Sequence, residues 1–180
     1  ILSSSFIIRK MKNTSLLNEA YDLCEEGEFT LALEYYDIVL YKEPRNVTAL
    51  VNKGVTLQNL RKLRQAIKCY DEALKIDRTN IDALVNKGSA LHTLGKYHEA
   101  IDCYDEALKV QPKYAMAMAY KGLSLGELGL LKNAIKCFNA ALQIDKKYDV
   151  ALNNKALALE LLRANSKLTP KLRKGNSEKK

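Results

Sequence analysis

Ala49-Leu50-Val51-Asn52-Lys53-Gly54 recurs, residue for residue, as Ala83-Leu84-Val85-Asn86-Lys87-Gly88, thirty-four positions further on. Cys69-Tyr70-Asp71-Glu72-Ala73-Leu74-Lys75 returns at the same offset as Cys103-Tyr104-Asp105-Glu106-Ala107-Leu108-Lys109. Between residues 47–80 and 81–114, 18 of 34 aligned positions are identical. Identity of that density marks an internal repeat, so the fold is read one unit at a time.

The offset sets a frame of 13–46, 47–80, 81–114, 115–148 and a partial unit from 149. Each unit reads as two helices. In the first, Leu50, Leu57 and Leu60, or Leu84, Leu91 and Leu94, fall at helical spacing. In the second, Ala66-Ile67, Tyr70 and Ala73-Leu74 make a second apolar stripe. Gly27, Gly95 and Gly129 open the turn between the helices, where a helix end favours a left-handed residue. Arg61 takes that place in 47–80, which predicts a less relaxed turn there. Pro44 and Pro112 stop the second helix in two units, and Asn46 and Asn80 then stand ready to cap the next first helix. Asp71 with Lys75, and Asp105 with Lys109, have the acid-first i,i+4 spacing of an outer-face ion pair. Gly54, Gly88 and Gly122 sit in mid-helix at a cost of about 1 kcal/mol each relative to alanine. Close approach of the partner helix at the small residues Ala66, Ala100 and Ala134 is the expected compensation. No alternating stretch flanked by hairpin dipeptides competes as a strand.

Composition narrows the function. The chain has 180 residues and a formal charge of +8, but the charge is concentrated at the ends. Residues 1–12 hold Arg9, Lys10 and Lys12 and no acid, and residues 163–180 hold seven basic residues against Glu178. The body between is close to neutral, which argues against a nucleic-acid-binding face along it. Cys69, Cys103 and Cys137 occupy one equivalent position, and no CxxC or CxxH pair occurs. Equivalent positions on stacked repeats lie roughly 9–10 Å apart, beyond the ~7 Å Cα limit of a disulfide. The three read as small buried hydrophobes in a reducing compartment, and the chain as cytoplasmic. No apolar run is long enough to span a membrane. Ile1-Leu2 and Phe6-Ile7-Ile8 are apolar, but too short for a signal sequence, and their basic residues follow rather than precede them. The chain is expected to be a fragment or to start at Met11; a truncated membrane segment ending at Arg9-Lys10 is a further reading. Leu152, Ala156, Leu159 and Leu162 predict a capping helix over 149–163, and the basic composition of 164–180 predicts a disordered tail.

The pattern resembles the tetratricopeptide repeat. In 81–114 the signature positions hold Leu84, Gly88, Leu91, Ala100, Tyr104, Ala107 and Pro112; in 13–46 they hold Ala20, Leu23, Ala32, Tyr36 and Pro44; in 115–148, Gly122, Leu125, Ala134, Phe138 and Ala141. Two departures stand out. Lys53, Lys87 and Lys121 occupy a position often held by leucine, and Arg78 and Lys146 replace the terminal proline. The resemblance implies an all-α, right-handed superhelical solenoid of four helix-turn-helix repeats over 13–148, closed by the capping helix, with residues 1–12 as an extension.

It further implies a concave groove lined by the first helices. The sixth residue of each unit points into that groove by resemblance: Asn18, Asn52, Asn86, Tyr120 and Asn154. An asparagine amide both accepts and donates, so it matches a peptide unit. Rungs roughly 9–10 Å apart correspond to about three residues of extended chain at ~3.3 Å each. Such ladders resemble the substrate-holding part of O-GlcNAc transferase. Tyr21, Glu25, Val55, Asn59, Ser89, His92, Thr93, Leu123 and Glu127 flank the ladder and would set preference. The heat-shock-chaperone subclass of this family clamps a C-terminal carboxylate with Lys, Asn and Arg. The matching positions here are Leu17, Tyr21, Asp82 and Asn86, so no chaperone-tail binding is expected. With two histidines, His92 and His98, and no phosphate loop, GxSxG or HExxH, no catalytic role, metal or cofactor is expected. The expected function is a non-catalytic module that holds an extended peptide as adaptor or scaffold, its protein partner unidentified. Two alternatives stand beside it. One is the substrate-recruiting fragment of a larger enzyme such as a glycosyltransferase. The other is binding of nucleic acid or an anionic surface by Lys167, Lys171, Arg173, Lys174, Lys179 and Lys180.

Overall fold

The computed structural model describes the backbone of residues 11–175 and side chains as far as Ser166. The readings made of residues 1–10 and 176–180 lie outside the described residues. Among the described residues there are nine helices and no strand: α1 (Asn13–Glu25), α2 (Phe29–Lys42), α3 (Val47–Asn59), α4 (Leu63–Ile76), α5 (Ile81–Thr93), α6 (Tyr97–Val110), α7 (Ala115–Glu127), α8 (Leu131–Ile144) and α9 (Asp149–Gly175). From α1 to α8 the lengths alternate between 13 and 14 residues. The chain forms two compact units, residues 1–95 and 96–180. The first contains α1–α5 and the second α6–α9.

Turn chemistry fixes the helix ends. Glu28 N–H donates to Leu23 O at 2.8 Å, Lys62 N–H to Leu57 O at 2.8 Å and Leu130 N–H to Leu125 O at 2.9 Å. These bonds close each first helix around a left-handed residue. That residue is Gly27 (φ 83°), Gly129 (φ 73°) or Arg61 (φ 59°), so the second turn carries a side chain where a Cβ is disfavoured by roughly 1–2 kcal/mol. Asn46 Oδ1 accepts from Ala49 N–H and Asn80 Oδ1 from Ala83 N–H, each at 2.9 Å, as the spacing predicts. The second helices end in register at Lys42, Ile76, Val110 and Ile144 even where proline is missing. In those two places an aspartate turn substitutes: Asp77 Oδ1 accepts from Thr79 N–H, and Asp145 Oδ1 from Lys147 N–H. The Thr79 bonds also hold the Asp77 carboxyl below its ordinary pKa.

In the first unit each helix packs on the next, and α3 also touches α5. Leu50, Leu57, Ala66, Tyr70, Ala73, Ala83 and Ala90 form one buried cluster, and Ala20, Leu23, Ala32 and Tyr36 another. In the second unit Ala119, Leu125, Ala134, Phe138, Ala141, Ala151 and Ala158 are buried together. The mid-helix glycines are explained by the rings, not by the alanines. A Cβ on Gly54 would lie 2.8 Å from Tyr70 Cζ, and one on Gly122 would lie 2.6 Å from Phe138 Cε1. Each glycine is the seat of an aromatic sixteen residues on, and the alanines twelve on only keep the helix axes close enough for that.

Two ion pairs differ from expectation, and a third of the same kind joins them. Asp71 does not pair along its helix with Lys75; it meets Lys87 Nζ at 2.6 Å. Asp105 meets Lys121, and Asp37 meets Lys53, each at 2.5 Å. The lysines that replace the usual leucine thus reach back to the preceding hairpin, while Lys109 pairs with Glu106. These half-exposed bridges contribute about 0–1 kcal/mol each but sharpen register. Helix α9 differs twice. It runs on to Gly175, past residue 163 where composition predicts loss of order. Its buried face is Ala151 and Ala158, with Leu162 packed beside them, while Leu152 and Ala156 are exposed. The small alanines let α9 lie close on α7 and α8.

Candidate peptide-binding face

The first helices of the repeats carry the candidate residues at fixed positions. In the first unit Asn18 stands on α1, Asn52 on α3 and Asn86 on α5. Asn18 is exposed; Asn52 and Asn86 are half-buried. Among the described residues none of the three side-chain amides has a hydrogen-bond partner and no buried polar side-chain atom lacks one, so these amides reach solvent. The other asparagines show the contrast. Asn46 and Asn80 are consumed as helix caps, and Asn154 Nδ2 donates to Val150 O at 2.8 Å in its own helix. Asn154 is left with its Oδ1 and one N–H to offer.

Tyr120, in the second unit, stands at the ladder position of α7. Its ring meets Tyr104 edge-on with centroids 6.1 Å apart, and its hydroxyl lies near enough to Tyr148 to raise that group. Burial, and then Tyr120, push the Tyr148 hydroxyl up to about 12. Tyr120 is therefore tied into an aromatic cluster.

Among the flanking positions, Tyr21 is 58% exposed, Val55 lies at the surface, and Glu25, Asn59 and Thr93 are exposed. Ser89 is half-buried and bonds Gln58 Nε2 at 3.4 Å. His92 is half-buried and engaged. Leu123, Glu127 and Asn154 line one cavity of about 230 Å³ between α7, α8 and α9.

The residues behind these positions escape sequence reasoning. Position 24 and its equivalents hold Cys24, Gln58, His92 and Gly126 in register. Tyr70 donates its hydroxyl to Gln58 Oε1 at 2.8 Å. Tyr36 lies 3.9 Å from Cys24 Sγ, which also meets Thr56 Oγ1 at 3.2 Å, and Thr56 donates to Asn52 O. The buried rings of Tyr36, Tyr70 and Tyr104 hold their hydroxyls far above the ordinary tyrosine range, chiefly by burial. Phe138 has no hydroxyl, and Gly126 stands in the partner's place. The signal was available as a covariation across the repeats, polar residue with tyrosine and glycine with phenylalanine.

All four thiols are free, and burial pushes those of Cys69 and Cys137 up, which keeps them protonated and unreactive. Among the described residues no group of three His, Cys, Asp or Glu side chains could hold a metal ion. Among them, too, no helix is long and apolar enough to cross a membrane.

No curated protein gives a significant sequence match. Solved structures do. A crystal structure of MamA protein superposes with a TM-score of 0.75 at 24% identity, over 90% of this chain and 88% of that one. A tetratricopeptide repeat protein from Parabacteroides merdae gives 0.73 at 28% identity, over 85% and 60%. The first such domain of Spaghetti (RPAP3), bound to the HSP90 peptide SRMEEVD, gives 0.63 at 24% identity, over 65% and 93%. Family profiles described as tetratricopeptide repeat match residues 47–80, 81–114 and 115–148. With repeat period, helix lengths, turn geometry and these matches in agreement, the chain belongs to the tetratricopeptide repeat family, an all-α helical-repeat solenoid.

Proposed function

We propose that this protein is a non-catalytic interaction module, an adaptor or scaffold whose first helices hold an extended peptide. In the first unit Asn18, Asn52 and Asn86 are its rungs. The observation that carries this reading is the set of solvent-facing amides on α1, α3 and α5, left unpaired while Asn46 and Asn80 are spent on caps. An amide that reads both groups of a peptide unit grips backbone and is tolerant of sequence. Tyr21, Val55 and Asn59 beside the rungs supply an apolar-to-polar border that selects side chains. The four free thiols support a reducing compartment such as the cytoplasm.

The test is a randomised extended-peptide pool presented to the protein and to Asn52→Ala/Asn86→Ala. Loss of two amide pairs is expected to weaken retained peptides about tenfold or more, with the thermal midpoint unchanged. Equal retention by both proteins would remove the ladder from the account. The Spaghetti (RPAP3) domain was solved with a chaperone peptide, but the matching clamp positions here are Leu17, Tyr21, Asp82 and Asn86. A Glu-Glu-Val-Asp peptide is therefore expected not to bind, and saturable binding at ~1 mM would overturn that expectation.

A further inference from the structure

The second unit contains a cavity that the repeat pattern does not require. In the first unit the space beside the Tyr70 hydroxyl is filled by Gln58. At the equivalent place in the second unit, Phe138 ends without a hydroxyl and Gly126 contributes no side chain; a Cβ built there meets nothing within 4 Å. The result is an opening of about 230 Å³ floored by Phe138 and walled by Leu123, Leu157 and Leu161. Leu157 and Leu161 on α9 are 52% and 45% exposed, a large apolar area left open to solvent. A closed apolar void of ~150 Å³ already accepts a benzene ring, so this one admits a leucine or phenylalanine side chain.

The rim is one-signed. Among the described residues Glu127 is the charged group that lines it, and no lysine or arginine does. Asn154 has one N–H of its Nδ2 bound to Val150 O and keeps its oxygen and its second N–H for a ligand. A carboxylate and an amide oxygen over an apolar floor suit a partner that brings a cation and an N–H donor. We infer that this cavity of the second unit anchors a peptide and takes a bulky apolar side chain flanked by lysine or arginine. The backbone N–H of that segment meets Asn154 Oδ1, and its cation meets Glu127. The inference rests on the peptide-binding reading above and names what is gripped at one place.

The experiment uses the full chain, isotope-labelled, titrated with three acetylated and amidated probe peptides centred on Lys-Leu-Lys, Lys-Ala-Lys and Glu-Leu-Glu. The Lys-Leu-Lys peptide is expected to shift the Gly126 backbone and Asn154 side-chain signals at least tenfold more tightly than either other peptide. Gly126→Leu, which fills the cavity from within, is expected to abolish that binding without lowering the thermal midpoint. Glu127→Lys is expected to reverse the charge preference and leave folding untouched. Equal binding of the lysine and glutamate peptides, undiminished binding by Gly126→Leu, or no binding of Lys-Leu-Lys at ~1 mM would overturn the inference. So would a concentration-dependent dimer lost on Leu157→Ser/Leu161→Ser, which would assign the cavity to a second copy of this chain. The randomised pool separates the two claims. If Asn52→Ala/Asn86→Ala keeps full binding and Gly126→Leu loses it, the ladder fails and the cavity stands; the opposite pattern fails the cavity alone.

Discussion

Hairpin α3–α4 and hairpin α7–α8 are built to one plan and end differently. Both seat a buried ring on a mid-helix glycine, Tyr70 on Gly54 and Phe138 on Gly122. Both turn through a left-handed residue closed by the same backbone bond. They part at one oxygen atom. The Tyr70 hydroxyl is buried and must be paired, so Gln58 is fixed in place and its amide carries the connection on to Ser89. Phe138 makes no such demand, so the position one turn along is released, and glycine there leaves a hole. A repeat conserves its packing by keeping the ring, and acquires a site where the ring loses its polar end.

The comparison breaks first at the glycines. Gly54→Ala and Gly122→Ala are each expected to lower stability by about 1–2 kcal/mol, because overpacking against an immobile ring outweighs the helix-propensity gain. Gly126→Ala, in the same helix as Gly122, serves as the control. It meets open space and is expected to be neutral or stabilising. Urea midpoints measure all three. Equal behaviour of Gly122→Ala and Gly126→Ala would mean that Phe138 moves freely and that the shared plan is loose.

The turns sharpen it next. Arg61 holds φ 59° where Gly129 holds 73°. Arg61→Gly is expected to stabilise the first hairpin by about 1 kcal/mol, and Gly129→Ala to destabilise the second by about the same. A loss on Arg61→Gly would show that the arginine side chain makes a contact worth more than its backbone strain.

Much of this was legible in the sequence. Helix lengths, the Asn46 and Asn80 caps and the strained Arg61 turn follow from residues whose effect is local, within four positions along the chain. What was not legible acts across a turn. Gly54 was assigned to Ala66 because periodicity gives the face a residue points to, not how far a ring sixteen places on reaches beneath it. Asp71 was paired with Lys75 for the same reason: the spacing to Lys87 has meaning only once two helices are antiparallel. In α9 the stripe at Leu152 and Leu159 and that at Ala151 and Ala158 are both helical, and only close packing on α7 and α8 selects the smaller pair. The unpaired amides and the cavity are residues left over after every other partner has been assigned, which no spacing reveals.

The smallest effect tests the oxygen atom itself. Tyr70→Phe removes a hydrogen bond whose acceptor, Gln58, is half-buried and can turn to water, so the expected cost is about 0.5–1.5 kcal/mol. Phe138→Tyr does the reverse: it introduces a hydroxyl with glycine as its neighbour, and is expected to cost a similar amount. Adding Gly126→Gln to Phe138→Tyr rebuilds the pair of the first hairpin in the second. The two changes together are expected to be more favourable than their separate effects predict, by about 0.5–1 kcal/mol of coupling. The same double variant closes the cavity, so binding of the Lys-Leu-Lys peptide should disappear as stability returns. Coupling without loss of binding would place the peptide elsewhere on the second unit; loss of binding without coupling would mean that glutamine fills the space but never meets the new hydroxyl.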